Sequence, residues 1–207
     1  MIIAVDGPAA SGKGTIARAL ARHYGLPHMD TGLLYRAAAL NLLRMGLDPE
    51  SEFAATRACD IESVGFDDPE LRSEGVGGVA SRISAYPMVR HALIERQRHF
   101  AAQPGGAVLD GRDIGTVIAP EAEAKLFVTA SPEVRARRRF DELVRNGMHV
   151  HYEDVLIDIR ARDERDSNRA AAPLTVAPGA YLLDTSDMGV EAAIAAAIEA
   201  VDARTSA

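Results

Sequence analysis

A short apolar run, Ile2 to Val5, stops abruptly at Asp6 and gives way to Gly7, Pro8, Ala9, Ala10, Ser11, Gly12, Lys13, Gly14 and Thr15. Ile16, Leu20 and Tyr24 then recur at every fourth position until Gly25 interrupts the series. The order is a buried parallel strand, a glycine-rich loop and a helix closed by a C-terminal glycine. The loop has the Gly-x-x-x-x-Gly-Lys spacing that cradles phosphates. Its glycines let successive N–H groups converge on one point, the helix that follows contributes the positive end of its dipole, and Lys13 supplies a compact charge on a long stem that suits β and γ phosphates. A glycine turn with no ligand is the alternative, but it has no need of a strand before and a helix after. Ser or Thr usually follows the lysine; here Gly14 does, and Thr15 comes next, with a hydroxyl that can lie near a Mg²⁺ ion carried by ATP.

The rest of the chain continues the alternation. Leu26 to Asp30 reads as a second strand, and Thr31 to Gly46 as a helix with Thr31 at its N-cap. Residues 48–86 mix acidic, small and glycine residues and read as an insertion of small helices and turns. Residues 87–100 are helical, with Pro87 in the first turn. Ala107 to Gly111 and Ala124 to Ala130 are further strands. Ser131 and Pro132 open a helix that stops at Gly147, and a second arginine-rich helix covers Tyr152 to Arg165. Ala180 to Ser186 is a fifth strand, and Val190, Ile194, Ile198 and Val201 mark the apolar stripe of a last helix. Five short apolar strands alternating with helices predict one α/β domain with a parallel sheet covered on both faces and two inserted segments.

Charge narrows the function. The chain carries 30 acidic against 23 basic residues, a net −7, which argues against coating nucleic acid or an anionic membrane. Local positive charge still suffices for a small anion. A single cysteine, Cys59, makes no internal disulfide. The first residues lack a signal peptide's basic and long apolar regions, and no apolar run approaches the roughly 20 residues that span a bilayer. A cytoplasmic protein is expected. His149 and His151 are the only close histidine pair, and no set of ligands completes a metal site around them.

Arginine placement points to the chemistry. Residues 133–169 hold nine of the 21 arginines together with nine acidic residues, so the segment is a charge-balanced helical pair and not a basic tail. Arg135 to Arg139 read as a solvated face laced with ion pairs. Arg162, Arg165 and Arg169, spaced by three and four, share one face if helical, where either surface ion pairs or an anion clamp would suit them; the phosphate loop in the same chain favours the clamp. Phosphoryl transfer relies on fixed cations around the moving group and on a lid that keeps water out. Asp110, Gly111, Arg112 and Asp113 follow a strand's carboxyl end, where open α/β sheets bind ligands. Arg112 can pair with an acceptor phosphate, and Asp113 can accept from a base or ribose or hold a water on Mg²⁺. A structural Arg112–Asp113 pair at a tight turn is the alternative.

Taken together, residues 6–15, 29–40, 109–120, 125–139 and 162–174 resemble, in order, the cytidylate kinase branch of the nucleoside monophosphate kinases. The sequence Gly-Lys-Gly-Thr is the form seen in that superfamily. The resemblance implies a three-layer fold around five parallel strands. The core is expected at about residues 1–30, 101–132 and 170–207, an acceptor-binding insertion at about 31–100, and a lid at about 133–169. It implies transfer of a phosphoryl group from Mg·ATP to CMP or dCMP in pyrimidine metabolism, by a monomer. ATP falls to residues 7–15, catalysis to Lys13, Arg112, Arg162 and Arg165, and the acceptor nucleotide to Thr31, Arg36, Ser81, Arg90, Arg112, Asp113, Asp166 and Arg169. Members of the branch often carry a small β-rich addition in the insertion; here Cys59 to Leu71 is short, acidic and poor in strand signals. Two competing functions remain open: the same chemistry on another acceptor, such as a different nucleotide or a small hydroxylated metabolite, and a nucleotide-binding regulator without transfer.

Overall fold

A computed structural model describes residues 1–205 of the 207, so positions 206 and 207 of the expected core span lie outside the described residues. Five strands, β1 (Ile2–Asp6), β2 (His28–Asp30), β3 (Ala107–Gly111), β4 (Ala124–Thr129) and β5 (Tyr181–Asp184), form one parallel sheet in the order β2-β3-β1-β4-β5. Eight helices connect and cover them: α1 (Lys13–Tyr24), α2 (Thr31–Arg44), α3 (Glu52–Arg57), α4 (Glu74–Ile83), α5 (Pro87–Ala101), α6 (Pro132–Arg145), α7 (Tyr152–Asn168) and α8 (Val190–Thr205). A 3₁₀ turn at Pro69–Arg72 and a π-helical turn at Ile114–Ile118 complete the chain. All five expected strands are present, and every pairing between them is parallel as expected. None of the helices is long and apolar enough to cross a membrane.

Strand alternation divides the core. Ile3, Val5, Leu126, Val128 and Leu183 face α1 and α8, while Ala4 and Leu109 face the π-helical turn and the end of α5. The segment after β2 has its own apolar cluster, built from Leu34, Leu40, Ile61, Leu71, Ile83 and Leu93. It consists of small helices and turns, with no strand between Cys59 and Leu71. A fourth cluster lies between α6 and α7, and Ala9 of the glycine-rich loop belongs to it.

Two local expectations need correction. In α8 the buried positions are Ala193, Ala197 and Val201, whereas Val190 is 63% exposed. Small alanines let this helix sit close on the sheet, so the larger Ile194 and Ile198 flank the contact and do not centre it. Thr31 is the first residue of α2, and Asp30 is its N-cap. The Thr31 hydroxyl donates to the Asp110 carbonyl at 2.8 Å, tying the helix to β3.

Gly7 sets how closely the loop after β1 approaches the sheet. Its φ is +154°, and a Cβ there would collide with the Val128 carbonyl oxygen of β4, a backbone atom that cannot swing aside. Gly7→Ala therefore pushes the loop off the sheet. Denaturant unfolding should show a loss of at least about 1–3 kcal/mol, the scale of an overpacked interior. Unchanged stability would contradict this close approach.

Candidate functional site

The loops after β1, β2 and β3 all open at the carboxyl edge of the sheet, with α6 and α7 above them. Between them lies a cavity of about 600 Å³. Its lining runs from Lys13 and Gly14 past Asp30, Thr31, Asp110 and Arg112 to Ser81, Arg90, Asp113, Asp166 and Arg169. A second cavity, of about 440 Å³, lies on the other side of the glycine-rich loop and is bordered by Gly12, Thr15, Arg138, Thr185, Met188 and Val190.

The loop itself is tightly wound. Ala10 holds a left-handed φ of 57°, which costs an L-residue of order 1 kcal/mol and persists only where its surroundings enforce it. Lys13 folds back so that its Nζ donates to the Pro8 carbonyl at 3.2 Å. Below the loop, the Asp6 carboxylate accepts N–H bonds from Ile114 and Gly115, each at 2.8 Å. These two bonds join the end of β1 to the turn after Arg112 and Asp113. Burial pushes the Asp6 carboxyl up to about 6 despite them.

Three cations face one another in the large cavity. Burial, reinforced by the nearby Arg112 charge, pushes Lys13 down to about 8 and Arg162 down to about 10. Burial also opposes the Arg112 charge, but the Asp166 carboxylate outweighs it, its Oδ2 accepting from Arg112 Nε at 2.8 Å. Arg162 has no such partner among the described residues, and its buried Nε makes no hydrogen bond. Asp30 and Asp110 supply negative charge beside Lys13. Burial and the Asp110 charge raise the Asp30 carboxyl above the usual carboxylate range.

The far end of the cavity is a polar network on an apolar base. Arg90 pairs with Asp113, donates to the Ser84 carbonyl at 3.2 Å and lies 5.6 Å over the Tyr35 ring. Arg169 Nη2 stands 3.9 Å from Asp113, and its Nε donates to the Ala172 carbonyl at 2.7 Å. Ser81 is buried with its hydroxyl unpaired. Arg36 reaches the Leu71 carbonyl at 2.7 Å by lying across Gly77, where a Cβ would come within 2.8 Å of its Nη2. Arg112 and Asp113 thus pair outward, with Asp166 and Arg90, and not with each other as a turn-stabilising pair would.

Most residues singled out from the sequence converge here: Lys13, Gly14, Thr31, Arg36, Ser81, Arg90, Arg112, Asp113, Arg162, Asp166 and Arg169 all line the large cavity. Two do not. Thr15 borders the second cavity, where its hydroxyl accepts from Arg18 at 3.3 Å. Arg165 is exposed and lines neither cavity. The shared helix face breaks down because α7 ends at Asn168, so Arg169 enters the site from extended backbone.

The solvated, ion-paired face expected for Arg135 to Arg139 fails at Arg135 and Arg138, whereas Arg137 is exposed and Arg139 is ion-paired. Arg135 is 3% exposed and bonded to Ala9 and Asp163. Arg138 donates to the Ser11 and Thr185 carbonyls. Arg137 stacks on Tyr152 at 4.6 Å, and Arg139 pairs with Glu74 and Glu142. Tyr35, Asp30 and Asp110 were not assigned from the sequence either. Their signal was their place at strand ends or one residue before Arg36.

Comparison with known proteins gives a consistent answer. The family model for cytidylate kinase matches residues 3–203. A cytidylate kinase of Xanthobacter autotrophicus is 59% identical, covering 99% of this chain and 98% of its own. One from Rhodopseudomonas palustris is 57% identical (98% and 96%), and one from Brucella suis 54% (97% and 92%). Among solved structures, an uncharacterized protein from Eubacterium ventriosum superposes with a TM-score of 0.56 at 16% identity, over 99% of both chains. The fold and the match across nearly the whole length agree: the chain belongs to the cytidylate kinase family.

Proposed function

We infer that this enzyme transfers the γ-phosphoryl group of ATP to the 5′-phosphate of CMP or dCMP. The carrying observation is that one continuous cavity joins the phosphate-binding loop to the Ser81, Arg90, Asp113, Asp166 and Arg169 network, with Lys13, Arg112 and Arg162 at its midpoint. An acceptor phosphate oxygen attacks the γ phosphorus, the bond to the bridging β,γ oxygen breaks, and ADP leaves. The transition state has little covalent chemistry for the protein to perform, so prepositioned charge is the main device. In this reading the backbone N–H groups of residues 9–15 and Lys13 hold the β and γ phosphates, with Gly7 and Pro8 shaping the loop, and the adenosine lies toward the second cavity. Arg112 and Arg162 receive the charge on the moving group. Thr31 and Arg36 hold the acceptor's sugar-phosphate end, while Ser81, Arg90, Asp113, Asp166 and Arg169 surround its base. Arg165 is proposed to act only if α7 turns it inward, since its present position is exposed.

Mg²⁺ is proposed to enter with ATP. The donor set fits such a metal: Asp30 and Asp110 flank Lys13, and among the described residues no cluster of three ligand-type side chains forms a dedicated cage. When bound it offsets phosphate charge, with Thr15 the hydroxyl on the loop's outer side. The separate apolar clusters of the segments at about 31–100 and 133–169 support treating them as acceptor-binding and lid units on a core. A cytoplasmic monomer acting on nucleotides, and on neither nucleic acid nor membrane, completes the reading.

An ADP-release assay across CMP, dCMP, UMP, AMP, GMP and shikimate tests the acceptor. CMP or dCMP should give the highest kcat/KM, and a preference for AMP or shikimate would overturn the assignment. ATP hydrolysis with no transfer to any acceptor would favour the regulator reading instead.

Lys13→Met should lower kcat at least about 10²-fold, the scale for one lost preorganised contact. Because free Lys13 loses its proton above about pH 8, kcat/KM for ATP should fall as pH rises through that value. A profile flat to pH 9.5 would contradict the role given to its charge.

A further inference from the structure

A loop that turns its N–H groups inward onto an anion must turn carbonyls outward, and those need donors. Here the Ala9 carbonyl accepts from Arg135 Nη1 at 3.3 Å, and the Ser11 carbonyl accepts from Arg138 Nη1 at 3.3 Å and from Thr185 Oγ1 at 3.1 Å. Arg135 does more than cap a carbonyl. Its Nε donates to the Ala130 carbonyl at 2.8 Å, and its two terminal nitrogens grip the Asp163 carboxylate at 2.9 and 2.5 Å. One guanidinium thus touches the chain just after β4, the phosphate-binding loop and α7.

Arg135 is 3% exposed, so the guanidinium of this two-pronged pair lies away from water, and removing Asp163 strands a buried charge. Asp163 follows Arg162 directly and stands one turn of α7 from Asp166, the partner of Arg112. The Ala9 side chain packs in the same cluster as Ala136, Val155 and Ile159. A displacement of the loop at Ala9 therefore reaches α7 through both a polar and an apolar contact.

We propose that Arg135 and Asp163 are positioning residues that couple occupation of the phosphate-binding loop to the placement of Arg162 and Asp166 over the acceptor. Each nucleotide then strengthens binding of the other. The proposal rests on the CMP kinase reading. It gives two residues that line neither cavity a role in the order in which the site assembles. A pair that only braces α6 against α7 would support stability and leave this coupling untouched.

The test is calorimetric titration of CMP into the enzyme with and without a non-hydrolysable ATP analogue and Mg²⁺. In the unaltered enzyme the analogue should tighten CMP binding about fivefold or more, the low end of measured site-to-site couplings. In Asp163→Asn, which keeps the side-chain shape and one acceptor oxygen, the ratio should collapse below about twofold with CMP affinity without analogue retained, while Tm falls because the buried Arg135 loses its countercharge. Arg135→Lys should behave alike, and the double variant should lose no more than either single one, since both cut the same link. Asp163 is 27% exposed, so its variant carries the test if Arg135→Lys does not fold. Coupling retained in Asp163→Asn, coupling absent from the unaltered enzyme, or a fall in Tm with both affinities weakened equally would each overturn the proposal. Failure of the unaltered enzyme to bind CMP at all would instead overturn the functional reading beneath it.

Discussion

Burial of three mutually repelling cations, Lys13, Arg112 and Arg162, is the constraint that organises this site. Bringing three cations into one partly desolvated cavity is unfavourable: burial first, and the Arg112 charge second, displace Lys13 from its ordinary 10.5 to about 8, on the order of 3 kcal/mol against its charged form. The protein offsets this unevenly. Arg112 has Asp166, Lys13 has Asp30 and Asp110 nearby, and Arg162 has no pairing carboxylate among the described residues. A polyanion satisfies all three at once, and most strongly where its charge is densest. Affinity for a pair of phosphate chains and stabilisation of the group moving between them therefore share one origin.

The sheet is what makes such crowding sustainable. β1, β2 and β3 deliver the glycine-rich loop, Asp30 with Thr31, and Asp110 to Asp113 to one edge, and neighbouring parallel strands leave them little freedom to separate. Asp6 stitches the first to the third through the amides of Ile114 and Gly115, and Thr31 stitches the second to the third through the Asp110 carbonyl. The net charge of −7 is compatible with this site because the cations lining the cavity act locally, while most of the other arginines lie exposed among a surplus of carboxylates.

What the sequence disclosed follows the range of the interactions involved. The strand–loop–helix unit is local, so its spacing was enough, and motifs placed just after strands inherited their location from the sheet. Arg135 and Arg138 were misread because a buried arginine and a solvated one look alike in an arginine-rich helix. The carboxylate that marks Arg135 as buried, Asp163, stands 28 residues away. Arg165 and Arg169 were misassigned to one face because spacing cannot show that α7 stops between them. Val190 failed as a core residue for a different reason: a hydrophobic stripe reports apolar positions, while packing distance selected the alanines. Lys13 is one of only two lysines among 23 basic residues, and its place in the loop explains it; Lys125 donates to the Pro120 carbonyl at 2.5 Å, a local tether outside both cavities.

The most direct test of the central claim is proton uptake on binding an adenosine and a cytidine joined through five phosphates, titrated calorimetrically at pH 8 in buffers of different ionisation enthalpy. If both phosphate chains meet the crowded cations, one molecule binds per chain and Lys13, poised near pH 8, takes up about half a proton that is missing in Lys13→Met. Binding whose heat is independent of buffer at pH 8, or uptake that survives in Lys13→Met, would contradict it.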